Sequence, residues 1–204
     1  MREHTVLEKN QRKTIYLASN LGFSKSQKDL ILPKIVKNLE KLGYEVIEPF
    51  AANNQDVDTG AAMSLEMAHR ISLKDTLDVV KASAILLFLN GEPPDVGVYA
   101  EGGMAAVLRK KTFVLRDDFR LCTDCEDFPV NLMALSGLPK EKKELSRHFY
   151  TTIEELLNPK KALAGYARGE DVYPYGNEEL DRLAEAYKQG TINKIKKDIQ
   201  TDLV

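Results

Sequence analysis

The sequence lacks the features that mark membrane proteins and nucleic-acid-binding proteins. Its 204 residues contain no apolar run of membrane-spanning length, and residues 1–13 lack the apolar stretch of a signal peptide. The 29 basic and 31 acidic residues are dispersed and give a net charge of −2, so no polyanionic partner is indicated. We therefore expect a soluble, cytosolic protein without a membrane or nucleic-acid partner.

Cysteine and histidine are also scarce, which argues against a metal site. Cys122 and Cys125 form a single C-T-D-C pair in an acidic loop, and His4, His69 and His148 have no spacing that completes a set of zinc ligands. In a reducing cytosol the two cysteines are expected to be free thiols. We expect no bound metal.

The glycine-bearing segment 95–105, DVGVYAEGGMA, does not match a phosphate loop. A P-loop requires lysine and then serine or threonine after its second glycine, whereas Gly103 and Met104 follow Gly102 here. The G-x-G-x-x-G spacing of dinucleotide binders is also missing, and no phosphate loop follows the first predicted strand, as a flavodoxin-like electron carrier would require. We expect no nucleotide or flavin cofactor.

Strand and helix patterns alternate along most of the chain. Apolar runs predict strands at 14–19, 44–50, 82–90 and 111–117, and helical periodicity predicts helices ending near Leu42, Lys81 and Lys110. A last strand and helix are expected within residues 148–158. Three successive β-α units predict an α/β fold that is doubly wound and flavodoxin-like, with a parallel five-stranded sheet covered by helices on both faces. We assign residues 1–159 to this domain and residues 160–204 to a helical C-terminal extension.

Ligands of such folds bind beyond the carboxyl ends of the strands, so we collected the side chains expected there. Amide, carboxylate and aromatic groups dominate this set: Tyr16, Asn20, Phe23, Asn53, Asn54, Gln55, Asp56, Asn90, Glu92, Asp95 and Glu101. Lysine and arginine are nearly absent from it. The set suits a neutral, hydroxylated, ring-bearing ligand such as a nucleoside better than a phosphorylated one.

Glu101 has two interpretations from its position alone. Near a helix start its carboxylate would be kept ionised by the helix dipole, and Gly97, Gly102 and Gly103 would leave room for a substrate beside it. Such a carboxylate can act as the nucleophile of retaining glycosyl transfer, while a second acid protonates the leaving group. The alternative is a favourable helix acid without a chemical role.

Four matches in order make the chain resemble the nucleoside 2-deoxyribosyltransferase family. DVGVYAEGGMA resembles the family signature D-V-G-x-x-x-E-G-x-A, and Tyr16 in the first strand stands where the family has its active-site tyrosine. Asp75 precedes Asp95 by twenty residues, as the family's two aspartates do. Residues 131–133, Asn-Leu-Met, match the segment that enters a neighbouring subunit's site. The resemblance covers about residues 13–137.

The resemblance implies an enzyme without a cofactor that acts on 2′-deoxynucleosides and free nucleobases. Glu101 would be the nucleophile at C1′, Tyr16 would orient it, and Asp75 would donate or shuttle a proton to the base. Asp95 and a partner subunit's Asn131 would hold the sugar hydroxyls. A site shared in this way implies a homo-oligomer, either a dimer or a hexamer.

Three further residues are assigned to substrate binding, and simpler alternatives stand beside several assignments. Met133 would help to close the pocket, Gln55 would read the base, and Phe23 lies in the loop after the first strand. By composition alone, however, Met133 is a packing residue, Tyr16 a core tyrosine and Asp75 a solvated helix acid.

Two alternative functions are considered beside deoxyribosyl transfer. A 2′-deoxynucleoside 5′-monophosphate N-glycosidase would use water as the acceptor and should offer serine and basic groups to a phosphate, for which Ser19 and Ser24 are candidates. A non-catalytic nucleotide-sensing module would have no need for Glu101 beside Asp95.

Overall fold

The computed structural model describes residues 12–50, 63–120 and 128–172, together with residues 182, 185, 186 and 189. Five strands form one parallel sheet in the order β2-β1-β3-β4-β5, which confirms the predicted doubly wound α/β fold. The strands are β1 Thr14–Ala18, β2 Glu45–Ile47, β3 Ala84–Phe88, β4 Lys111–Leu115 and β5 Phe149–Tyr150.

Helices lie between successive strands and after the last one. The α-helices are α1 Lys25–Leu30, α2 Leu32–Lys41, α3 Leu65–Lys81, α4 Val96–Val107, α5 Lys142–His148 and α6 Ala162–Ala167. Three 3-10 helices, Leu21–Phe23, Leu132–Gly137 and Glu154–Leu157, complete the described elements. None of the described helices combines the length and the apolar character needed to cross a bilayer.

The sheet has a hydrophobic core on each face because successive side chains of a strand point to opposite sides. Ile15 and Leu17 of β1 pack with the α2 and α6 side, whereas Tyr16 and Ala18 pack with the α3 and α4 side. All five residues of β3 are buried, as its continuous apolar run predicts for a central strand. Tyr16, in the middle of β1, therefore belongs to the core on the α3 and α4 side.

Three predicted elements differ in detail from the structure. The first helical stretch is divided into α1 and α2, and Pro33 lies in the first turn of α2, where its missing N–H costs no helical hydrogen bond. The second strand is shorter than 44–50 and ends before Glu48 and Pro49. α3 begins at Leu65, because the Ser64 side chain accepts a hydrogen bond from the Met67 amide at 3.2 Å and so caps the helix.

The chain beyond β5 returns to the core. The segment before α5 contains the 3-10 helix Leu132–Gly137, and the helix expected after β5 is the 3-10 helix Glu154–Leu157. Ala162 and Leu163 of α6 belong to the core on the α2 side. The predicted extension from residue 160 thus begins with side chains packed against the α/β domain, and the division into two regions stays a prediction.

Candidate active site

The candidate site lies where the chain leaves β1 and β3 in opposite directions. β1 and β3 are adjacent, while the connection from β1 leads to β2 on one side and the connection from β3 leads to β4 on the other. Loops diverge at such a point and leave a crevice beyond the carboxyl ends of the strands. Tyr16 in β1 and Glu101 in α4 meet there.

Tyr16 and Glu101 are joined by a short hydrogen bond. The Tyr16 hydroxyl donates to Glu101 Oε1 at 2.6 Å, and the tyrosine ring is fully buried. A close approach of α4 to β3 helps to bring the two together. A Cβ on Gly102 would stand 3.0 Å from Leu87 Cδ1, so glycine at this position allows the helix to lie near the strand.

Two expectations about this helix are corrected by the structure. Glu101 is the sixth residue of α4 rather than a first-turn residue, so the helix dipole is not the main influence on its charge. The pKa of Glu101 is raised to about 7, mainly by burial; the hydrogen bond from Tyr16 opposes this shift, and the charges of Asp75 and Asp95 add to it. Gly102 serves the packing of α4 on β3 rather than access of a substrate. The carboxylate is therefore kept partly protonated at neutral pH, not held ionised.

Asp75 reaches the same region from α3. Burial raises the pKa of Asp75, and the neighbouring Lys74, whose Nζ lies 3.6 Å from Asp75 Oδ1, works against that shift. Lys74 also pairs with Asp78 at 2.9 Å. Asp75 is close enough to raise the pKa of Glu101, so the two acids lie in the same region, and their roles stay predictions.

Asp95 caps the helix that carries Glu101. Its Oδ1 accepts hydrogen bonds from the Gly97 and Val98 amides at 2.8 Å and 3.2 Å. A Cβ on Gly97 would stand 2.9 Å from that same oxygen, so a side chain there would crowd the cap. Asp95 thus fixes the start of α4, and its Oδ2 takes part in neither of these bonds.

Asn131 and Met133 lie on another side of α4. The Asn131 amide donates to the Tyr99 hydroxyl at 3.3 Å, and the Asn131 side chain caps the 3-10 helix Leu132–Gly137 through the Met133 amide. Tyr99 and Glu101 are two residues apart on α4, which places their side chains about 200° apart around the helix axis. Met133 is 61% exposed. The structure therefore does not bring Asn131 to the Glu101 of its own chain.

Phe23, which is also predicted to bind substrate, lies in the 3-10 helix Leu21–Phe23 after β1. Phe23 is 78% exposed and its ring meets Phe50 edge-on, with 4.9 Å between the ring centres. Gly22 lies under that second ring, since a Cβ there would be 2.0 Å from Phe50 Cγ. Gln55, with Asn53, Asn54 and Asp56, falls outside the described residues.

Sequence reasoning missed Glu48, which follows β2 at the same edge of the sheet. Its carboxylate accepts from the Phe50 amide at 3.0 Å. Burial raises the pKa of Glu48, while Lys28 and Lys74 lie near enough to lower it and Asp75 near enough to raise it. Ligand-binding residues often follow strand ends. A prediction that ended the second strand before Glu48 would therefore have included Glu48 among the candidates.

Comparisons with known proteins identify the family of this chain. The family model described as nucleoside 2-deoxyribosyltransferase matches residues 15–133. A 2-desoxiribosyltransferase from Leishmania mexicana shares 20% identity with a TM-score of 0.52, over 77% of this chain and 98% of that one. No curated protein sequence matches.

Two further solved structures are similar. The 2-deoxyribosyltransferase of Bacillus psychrosaccharolyticus shares 19% identity with a TM-score of 0.49, over 71% of this chain and 90% of that one. A CMP N-glycosidase from Clostridium botulinum shares 19% identity with a TM-score of 0.39, over 72% of this chain and 95% of that one.

Proposed function

Since the chain belongs to the nucleoside 2-deoxyribosyltransferase family, we propose that it transfers the 2-deoxyribosyl group of a 2′-deoxynucleoside from one nucleobase to another. The reaction proceeds by double displacement through a covalent ester on Glu101. In the cell it would serve nucleoside salvage.

The observation that carries the proposal is the bond from the buried Tyr16 hydroxyl to Glu101. A carboxylate that accepts one fixed hydrogen bond on Oε1 has Oε2 available in a defined direction for attack on C1′. A first-turn helix acid would need no such partner. The core therefore orients the group that the proposal makes the nucleophile.

In the first half of the reaction Glu101 displaces the base. A carboxylate oxygen of Glu101 forms a bond to C1′ as the C1′–N bond breaks, and the electron pair of that bond leaves with the base. Asp75, whose raised pKa favours its protonated form, supplies a proton to the departing nitrogen directly or through water. The products are a glutamyl ester of deoxyribose and a neutral base.

The second half reverses these steps with a new base. A ring nitrogen of the entering base attacks C1′, the C1′–O bond breaks, and the electron pair returns to Glu101. Asp75 takes the proton that the entering base loses. Two inversions at C1′ give net retention of configuration.

The sugar is held from two chains in this proposal. Asp95 binds a sugar hydroxyl, while Asn131 of a second copy binds another and Met133 of that copy covers the pocket. Support comes from the placement of Asn131 at Tyr99, away from Glu101 of its own chain. The active form is then at least a dimer.

Hydrolysis is the second candidate, because Ser19 offers a hydroxyl suited to a phosphate. Its Oγ is buried beyond the end of β1 and has no hydrogen-bond partner among the described residues. A substrate phosphate oxygen there would accept that bond. In this case water replaces the entering base, and the substrate is a 2′-deoxynucleoside 5′-monophosphate.

Two experiments test the proposal. The protein is incubated with deoxyinosine and adenine, and deoxyadenosine is measured; its formation supports transfer, whereas release of hypoxanthine without it supports hydrolysis. The same assay with deoxyinosine 5′-monophosphate decides the substrate class. Mass spectrometry after incubation with a 2′-fluorinated deoxynucleoside should then locate a sugar adduct on the peptide containing Glu101; an adduct on Asp75 or Asp95 would overturn the assignment.

A further inference from the structure

A set of hydrogen bonds ties the turn between β3 and α4 to the segment after β4. We call the four residues that make it, Asn90, Arg116, Asp117 and Asp118, the turn clamp. Leu89 and Gly91 belong to the β3–α4 turn that leads to Asp95 and so to the start of α4. The turn is therefore held from the neighbouring strand as well as by its own chain.

Arg116 forms the buried part of the turn clamp. Its Nη1 donates to the Leu89 carbonyl and, at 3.2 Å, to the Gly91 carbonyl. Its Nη2 donates to the Arg120 carbonyl at 2.7 Å and lies 4.0 Å from Glu92. The residue is 2% exposed, and its Nε has no hydrogen-bond partner within the described part of the chain.

A buried guanidinium is an expensive way to stabilise a fold. Removing such a charge from water costs several kcal/mol, and the carbonyls and one distant carboxylate compensate for it only in part. The planar guanidinium, however, holds its donors in a rigid fork, whereas the ammonium of a lysine lies on a flexible stem and imposes less geometry on the carbonyls it binds. The arrangement suits a role in positioning the turn better than a role in stability.

Asn90 and Asp118 form the outer part of the turn clamp. The Asn90 side chain donates to the Asp117 carboxylate and accepts from the Asp117 amide at 3.0 Å, which closes a two-bond ring between the segments. Asp118 accepts from the Gly91 amide at 3.1 Å. The turn is thus bonded on both its backbone and its side chains.

We propose that Arg116 and the Asn90–Asp117 pair are positioning residues for Asp95. They hold the β3–α4 turn so that Asp95 caps α4 and directs its second oxygen to a sugar hydroxyl. The sugar-binding part of this inference rests on the proposed function. The positioning of the cap itself does not.

The experiment compares Asn90→Ala and Arg116→Lys with Lys110→Met. Lys110 is the matched control because it also donates to two carbonyls, those of Val80 and Ala82, but at the end of α3. Asn90→Ala removes the two bonds to Asp117 and leaves the Asp118–Gly91 bond and the buried arginine in place, so it is expected to fold. Arg116→Lys keeps the charge and loses the fork.

The first readout is amide hydrogen exchange, which needs no activity. Exchange at Gly97 and Val98, the two amides that Asp95 caps, should be about tenfold faster in both clamp variants and unchanged in Lys110→Met. Wild-type exchange rates at these amides in both clamp variants would overturn the proposal, whatever the protein's activity.

The second readout is kinetic and applies to the active enzyme. KM for the deoxynucleoside should rise about fivefold or more in Asn90→Ala, with kcat changed less, because the sugar contact is misplaced while Tyr16 and Glu101 remain paired. Removal of a sugar hydroxyl from the substrate should cost less in this variant than in wild type. An unchanged KM together with an unchanged penalty would refute the link to the sugar. A wild-type protein that neither transfers nor hydrolyses deoxynucleosides would instead refute the proposed function. The hydrogen-exchange measurement would still test whether the turn clamp positions the Asp95 cap.

Discussion

Tyr16 and Glu101 are 85 residues apart in the sequence, yet the hydroxyl of one and the carboxylate of the other lie 2.6 Å apart. Burial raises the pKa of Glu101 and the bond from Tyr16 works against it, and the resulting pKa is about 7. The pair therefore sets the pH at which the proposed nucleophile becomes ionised. This leads to a prediction about the acid limb of activity.

We expect kcat/KM to fall about tenfold per pH unit below pH 7, because Glu101 must lose its proton to attack C1′. Tyr16→Phe removes the bond that favours the ionised form, so the acid limb should move to higher pH. Tyr44→Phe is the matched control, since its buried hydroxyl donates to the Leu163 carbonyl away from the site. A limb that stays in place in Tyr16→Phe, or moves equally in Tyr44→Phe, would contradict the prediction.

Glu101→Gln should lose activity and gain stability. Loss of the nucleophile is expected to lower kcat by several orders of magnitude. The pKa of Glu101 is raised in the folded state from 4.5 to about 7, so the unfolded chain ionises first and wild-type stability falls as the pH rises through that window. Gln does not ionise, and the variant should therefore unfold at higher denaturant concentration than wild type at pH 8, with the difference vanishing near pH 4.

The control for this stability measurement is Glu66→Gln. Glu66 is an exposed acid in the first turn of α3, where its charge favours the helix by about 0.3–1 kcal/mol, so its loss should destabilise the protein. A Glu101→Gln protein that behaves like Glu66→Gln and keeps activity within about tenfold of wild type would refute the nucleophilic role of Glu101.

Asn131 is predicted to act in the site of another chain. Glu101→Ala and Asn131→Ala, each inactive alone, should recover about a quarter of wild-type activity when subunits mix at random in equal amounts, because half of the dimers are mixed and each of these has one intact site. Glu101→Ala mixed with Asp75→Ala should recover nothing, since both residues belong to the same half of the site. Equal recovery in the two mixtures, or none in the first after proven subunit exchange, would refute a shared site.

The 2′-position should control substrate choice. A 2′-hydroxyl would lie beside the carboxylate and compete for the hydrogen bond between Tyr16 and Glu101. We expect deoxyinosine to be turned over far faster than inosine at equal concentration. Comparable rates for the two would show that the pocket does not exclude the hydroxyl.

His148 is predicted to make the fold sensitive to mild acid. It is buried against Phe113, and its Nδ1 lies 2.8 Å from the Thr112 carbonyl, which can only accept, so Nδ1 carries the proton of the neutral ring. Burial lowers the pKa of His148 below its ordinary 6.5, so the unfolded chain takes up a proton first as the pH falls. This contribution is opposite in sign to that of Glu101 over the same pH range, so it is measured as a difference between variants. Below about pH 6.5, His148→Asn should lose less stability, or gain more, than wild type and the exposed-site control His69→Asn.

The sheet could be predicted from the sequence because its central strands carry an unambiguous signal. The apolar run at β3 is nearly continuous, which is typical of a central strand. The three strand–helix alternations also permit few sheet topologies. The sequence predicts a β2 that is too long, because the residue pattern of Val46 and Ile47 continues into Glu48 with no local signal for the end of a strand. Its end depends on where the neighbouring strand stops pairing, which is not a local property.

The residues of the candidate site are easier to predict from the sequence than the directions of their pKa shifts. The resemblance to the family implies that Asp75, Asp95 and Glu101 share a site, and in the structure Asp75 and Asp95 both raise the pKa of Glu101. The predicted direction of the Glu101 pKa shift is wrong. Burial raises that pKa, and the burial depends on how closely Gly102 allows α4 to approach β3. The roles of these residues, and the position of Gln55, stay predictions.

Tyr16 is at once part of the sheet and part of the candidate site, and it pairs with Ile47 on one side and Ile85 on the other. A slip of β1 by one residue would turn its side chain to the opposite face of the sheet and leave an aliphatic residue facing Glu101. A chain with β1 in this wrong register could still bury most of its apolar surface, and its helix content would be that of a folded protein. Catalytic competence would then report strand registration, and the active fraction of a refolded sample would count the molecules whose β1 had paired correctly.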